Sequence, residues 1–234
     1  MRGEQGTTLT FVYEGTLLPR PMDYITKDGI LLRDESRWYP AVDISAFTQN
    51  KIWISVPSTW DAFTSGAMLG SIGAGLGAFF TWETSRPASS RWILAVPQTT
   101  KGFQCTPLPI QEQGFQRIQT GSACAYDLGE VSASKIVAKV HNMLDFYGKN
   151  IAQYGDSQLR IHQAFPGARG AIGYSAPGFL VVSEDVVKWH DYPGYAPEFL
   201  PHEVAHQWFP IEVTIAREEV GWLAEAVAEY LAWR

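Results

Sequence analysis

His202-Glu203-Val204-Ala205-His206-Gln207-Trp208-Phe209, followed by Gly221-Trp222-Leu223-Ala224-Glu225-Ala226-Val227-Ala228-Glu229-Tyr230, is the stretch on which the reading of this chain turns. On a helix, positions four apart lie one above the other, so His202 and His206 can aim both imidazoles at one ion. Glu203 lies beside that face, placed to take a proton from a water held by the ion. A catalytic zinc usually takes three protein ligands and leaves one position open. Two histidines therefore need a third partner, and Glu225, nineteen residues after His206, is the candidate. The connection from Phe209 to Glu219 is long enough for two helices to pack antiparallel. Glu225 then faces the histidines, with Leu223 and Val227 expected in the core. Glu229, one turn on, is expected to be solvated, with orientation of a metal ligand as its alternative role.

Upstream of this stretch the chain has a helical period. Ile136, Val137, Val140, Met143, Leu144 and Tyr147 recur at three- and four-residue steps, with Ser132 or Ser134 as a cap, predicting a helix over 132–148. Strands are expected at Gln158–Ala164 and Gly178–Val182, joined through the glycine-rich Pro166–Gly173. A helix should begin near Pro197–Pro201, and another should run from Val220 onward. The last is still running at Arg234, so the sequence is read as a piece of a longer protein.

Before about residue 127 the period changes to that of strands. Thr8–Tyr13, Lys51–Val56, Gly77–Trp82 and Trp92–Val96 are rich in β-branched and aromatic residues and are bounded by Gly, Pro, Asp and Ser. An antiparallel sandwich or saddle over 1–127 is expected, with Arg37-Trp38-Tyr39-Pro40 in a connection, and a second unit over 128–234. Gly70 to Gly77 lacks the Lys-Ser/Thr ending of a nucleotide loop and is read as a hairpin connection.

Composition excludes some classes. The net charge is −6 without a basic block, which gives no nucleic-acid signal. Residues 67–80 are interrupted by glycines and too short to span a bilayer, so no transmembrane segment is expected. The first residues lack the apolar core of a signal peptide. Cys105 and Cys124 are read as unrelated buried thiols, with a disulfide as the alternative. His141, His162 and His190 are read as surface or packing residues.

The segments His202–Phe209 and Trp222–Glu225 resemble the gluzincin metallopeptidases of the aminopeptidase N and leukotriene-hydrolase group. That family carries His-Glu-x-x-His, a Trp-Phe pair, and a Glu after eighteen intervening residues within a Trp-Leu-x-Glu helix. Val213-Thr214 also stands where the family has Val-Thr. The resemblance implies an α+β chain, whose β-rich N-terminal domain precedes the first part of a thermolysin-like α/β catalytic domain. It implies that His202, His206 and Glu225 bind one zinc ion, that Glu203 is the general base, and that the substrate is a peptide or protein. The tyrosine that steadies the oxyanion in the family lies well beyond the zinc glutamate, outside these 234 residues.

The chain departs from the family pattern in one place, as an atypical, bacterial-like member would. Aminopeptidases of the group carry Gly-x-Met-Glu-Asn, whose Glu binds the substrate's free amine. The corresponding place is Gly173-Tyr174-Ser175-Ala176-Pro177-Gly178, and no carboxylate stands there. Gly173, Tyr174, Ser175 and Ala176 remain candidates for binding a substrate through the strand backbone, but exopeptidase activity does not follow. Two alternatives stand beside peptidase activity: a catalytically inactive, peptidase-like scaffold, and a zinc hydrolase acting on something other than a peptide.

Overall fold

A computed structural model describes residues 12, 14–15, 24–33, 38–39, 51–84, 92–98, 104–107, 120–125, 129–156, 158–164, 173–189, 198–213 and 221–234. Of the strand expected at Thr8–Tyr13 only Val12 is described, with no strand assigned, and His190 lies outside the described residues. Twelve strands and four helices are described, arranged in three sheets.

Two of the sheets are antiparallel throughout. One has the order β1 (Tyr24–Thr26), β2 (Gly29–Leu32), β7 (Ile93–Pro97), β4 (Trp60–Thr64). The other has the order β3 (Lys51–Pro57), β6 (Gly77–Glu83), β5 (Ala67–Ala74). In β3 and β6 the register sets Ile54 opposite Phe80, Ile52 opposite Trp82 and Val56 opposite Ala78. These residues share one face by the two-residue period of a strand. That face packs on Ala62 and Ala95 of the first sheet. The glycine run read as a connection is mostly strand, because β5 extends through Ala74 and only Gly75-Leu76 turns the chain. Gly75 takes a φ of +58° in that turn, which a residue with a Cβ adopts at a cost.

The third sheet has the order β11 (Gly173–Ala176), β12 (Phe179–Val182), β10 (Gln158–Gln163), β9 (Thr120–Ala125), β8 (Gln104–Pro107). Strands β9, β10 and β12 are parallel, and the edge strands β8 and β11 run antiparallel to their neighbours. Strands β8 and β9 precede residue 127, so this layer begins upstream of that position. Helix α1 (Gly129–Asn150) crosses from β9 to the parallel β10, as such pairing demands. Cys105 and Cys124 are opposite one another in the β8–β9 register.

All four residues of β12 are buried, which marks a strand covered on both faces. Leu180 and Val182 pack with Leu159 and Ile161 against Ile136, Val137, Val140, Leu144 and Tyr147 of α1. Phe179 and Val181 pack on the opposite face with Leu31 of β2, Leu94 of β7 and Trp92 just before β7. His162 of β10 lies on that second side, fully buried between Phe63 (4.1 Å between ring centres) and Phe179 (5.3 Å). Arg160, two residues earlier, donates from Nη1 to the Gly66 carbonyl at 2.9 Å and lies 4.4 Å over the Trp82 ring, tying the layers together.

Helix α2 (Glu184–Trp189) is not among the helices expected from the sequence, and it opens on Glu184 and Asp185. They form its first turn, and the Val186 amide points to Ser183 Oγ at 3.4 Å. Helices α3 (Phe199–Ala205) and α4 (Trp222–Ala232) complete the helical layer. Among the described residues no helix is long and apolar enough to cross a membrane.

Candidate metal centre

Helix α3 turns Leu200, Val204 and Ala205 into the core, which leaves His202 and His206 on its other side. The segment after α3 is pinned by Trp208, whose indole donates to the Ala152 carbonyl at 2.6 Å and packs against Tyr147 and Tyr154. Tyr147 spans the site from behind. Its hydroxyl lies 3.2 Å from the carbonyls of both Pro201 in α3 and Leu231 in α4, and its single proton serves one at a time. Burial pushes the Tyr147 hydroxyl pKa up to about 12.

Helix α4 approaches α3 through small residues. Ala224 and Ala228 are its buried positions, while Leu223 is exposed and Val227 only partly covered. The expected core pair was thus one residue out of phase. A close helix contact favours alanine, and the apolar residues around α4 leave its phase ambiguous. Glu225 nonetheless reaches the histidines.

His202, His206 and Glu225 form a group of metal-ligating side chains whose ligand atoms lie within 4.8 Å of one another. The two Nε2 atoms are 3.0 Å apart, Glu225 Oε2 is 3.3 Å from His202 Nε2, and Glu225 Oε1 is 3.6 Å from His206 Nε2. Tetrahedral zinc with bonds of about 2.0–2.1 Å spaces its ligand atoms by roughly 3.3–3.4 Å. The three separations straddle that value.

The outer partners assign the ring protons. His206 Nδ1 is 3.0 Å from the Phe209 carbonyl and His202 Nδ1 is 3.1 Å from Glu229 Oε2. Both partners are acceptors, so each neutral ring carries its hydrogen on Nδ1 and turns an Nε2 lone pair inward. Two lone pairs and a carboxylate then converge, and only a cation satisfies all three. A proton does so in part: the Glu225 carboxylate raises the His202 pKa, and His202 and His206 hold Glu225 well below the usual carboxylate range. A divalent metal fits the set fully. Glu229, expected to be solvated, is half-exposed yet bonded to His202, and its Oε1 accepts from the Trp233 indole at 2.8 Å.

Glu203 is buried beside this group, and burial pushes its pKa up. Its carboxylate Oε2 and its main-chain carbonyl lie 2.8 and 2.7 Å from Ser175 Oγ on β11. A Cβ on Gly173 would come within 2.7 Å of the Glu203 carboxyl carbon. Of the four candidate substrate residues, Gly173 and Ser175 therefore adjoin Glu203. Tyr174 packs on Trp92, with ring centres 4.7 Å apart, and Ala176 is in the core. The sequence reading missed Gln207, a buried residue whose amide acts as a strut. Its Nε2 donates to the Ala176 carbonyl, and its Oε1 accepts from the Gly178 amide, both at 3.0 Å. Its place directly after His206 was the only signal.

No protein-family model and no curated protein matches the sequence. Solved structures do. An M1 zinc metallopeptidase from Deinococcus radiodurans superposes with a TM-score of 0.70 at 17% identity, over 92% of this chain and 48% of that one. A mutant of that enzyme gives 0.59 at 17%, over 78% and 40%. A mutant two-domain M1 zinc metallopeptidase bound to L-arginine gives 0.60 at 17%, over 78% and 39%. The chain has a mixed α/β fold similar to that of M1 zinc metallopeptidases. It spans less than half the length of those proteins.

Proposed function

We propose that the protein is a zinc-dependent peptidase in which His202, His206 and Glu225 hold one zinc ion and Glu203 is the general base. The observation that carries this reading is the convergence of two Nε2 lone pairs and a carboxylate within 3.6 Å, beside a buried glutamate. The likeness in fold to M1 zinc metallopeptidases supports it.

Zinc in such a site supplies a Lewis acid and lowers the pKa of water from about 15.7 to about 7. The rest falls to the chain. Glu203 accepts a proton from the attacking water and returns it to the leaving nitrogen. Burial suits it to this, because a desolvated carboxylate holds a proton more readily than an exposed one. Glu229 and the Phe209 carbonyl fix the imidazole planes through Nδ1.

Peptide substrates with free and with blocked amino termini, offered to wild type and Glu203→Gln, test the reading. The expected result is cleavage by wild type and loss of turnover by at least about 100-fold in the variant, with zinc retained. Equal activity of both proteins would refute it. The ratio between the two substrate classes decides between exopeptidase and endopeptidase action.

A further inference from the structure

Strand β11 is an edge strand of its sheet among the described residues, and its residues alternate between the core and Glu203. Tyr174 and Ala176 pack inward, whereas Gly173 and Ser175 meet Glu203. We infer that Ser175 is a positioning residue for Glu203, its hydroxyl fixing the carboxylate in the space that Gly173 leaves open. The inference rests on the peptidase reading and reassigns Ser175, which the sequence suggested for substrate contact.

Three features carry it. The Ser175 hydroxyl is 2.7 Å from the main-chain oxygen and 2.8 Å from the carboxylate of the same residue. The single hydroxyl proton serves one of these acceptors at a time, so one side chain is within reach of both the backbone and the flexible end of Glu203. A Cβ at position 173 would stand 2.7 Å from Glu203 Cδ and 2.8 Å from both Cγ and Oε1, nearer than Cβ contacts occur. Glycine here serves close packing, since the place is filled by the carboxylate itself. The strand that carries both residues is also held independently to the turn that follows α3. Gln207 bonds to Ala176 and Gly178 at the hairpin end, and Tyr154 Oη lies 2.9 Å from the Gln158 carbonyl and 3.2 Å from Gln207 Oε1, its one proton serving either. The distance from Ser175 to Glu203 is therefore built into the fold on both sides.

A general base contributes through its placement as much as its basicity. In the zinc-loaded full-length protein, Ser175→Ala should lower kcat by about 10- to 100-fold, with KM within about twofold and zinc content unchanged. Ser175→Thr, which keeps the hydroxyl, should recover most of the loss. Gly173→Ala should lower kcat without removing zinc. A raised KM at unchanged kcat in Ser175→Ala would overturn the inference and return Ser175 to substrate contact. Wild-type kinetics in that variant would also overturn it.

A second measurement does not depend on activity. In the metal-free protein, a denaturant double-mutant cycle of Ser175→Ala with Glu203→Ala should give a coupling of about fivefold or more in the unfolding constant. Additive effects would overturn the inference even if wild type cleaves peptides well. An inactive wild type with strong coupling would sink the peptidase reading while sustaining the Ser175–Glu203 pairing.

Discussion

Glu229 Oε2 lies 3.1 Å from His202 Nδ1, one helix turn beyond Glu225, whose own carboxylate meets the same imidazole at Nε2. Two carboxylates four residues apart on α4 thus grip the two nitrogens of one ring. In the proposed zinc site the inner one is a ligand, and the outer one fixes the tautomer that leaves His202 Nε2 available to the metal.

Glu229→Ala should therefore leave the ligand set intact yet weaken zinc binding by about 10- to 100-fold. Competition with a chelator of known affinity measures this. An unchanged affinity would mean that the Glu229 contact does not orient His202.

The contact between α3 and α4 should be intolerant of volume. Ala228 is fully buried between the helices, so Ala228→Leu should cost about 1–3 kcal/mol by overpacking. It should also weaken zinc binding, because Glu225 travels with α4. Unfolding by denaturant, together with zinc titration, separates the two effects.

Tyr147→Phe keeps the ring but removes the proton that the Pro201 and Leu231 carbonyls share. A loss of about 1 kcal/mol is expected, read from the denaturant midpoint. A variant as stable as wild type would show that the hydroxyl does not brace the helices.

Stability should fall in mild acid on account of His162. Burial, reinforced by nearby Arg160, pushes its pKa down to about 3 from an ordinary 6.5. Above pH 6.5 the ring is neutral whether folded or unfolded, and its contribution is whole. Between 6.5 and 3 the unfolded chain takes up a proton that the folded one refuses. Stability is then lost at up to about 1.4 kcal/mol per pH unit. The difference between wild type and His162→Leu, followed from pH 7 to pH 5, isolates this effect from the carboxylates. A difference that stays flat across that range would contradict it.

Much of the site was legible because it depends on local periodicity. Glu225 was picked out by its spacing on a second helix and by the family resemblance, and the three side chains do cluster. The pairing of His202 with His206 needed only the geometry of a helix. The helix over 132–148 was readable from Ile136 to Tyr147 for the same reason. Non-local features were not readable. Strands β8 and β9 join the third sheet by pairing with segments distant in sequence. Ser175 reaches Glu203 across 28 residues. The phase of α4 was misjudged because Leu223 and Val227 looked more apolar than Ala224 and Ala228, and close helix packing rewards the smaller pair. Helix α2 is six residues long, too short to show a period.

Elemental analysis of the purified full-length protein, beside its Glu225→Ala variant, addresses the metal centre most directly. About one zinc per chain in wild type, lost or much weakened in the variant, is the expected result. Wild-type protein that takes up no zinc after reconstitution, or a variant that holds it equally well, would contradict the assignment of His202, His206 and Glu225.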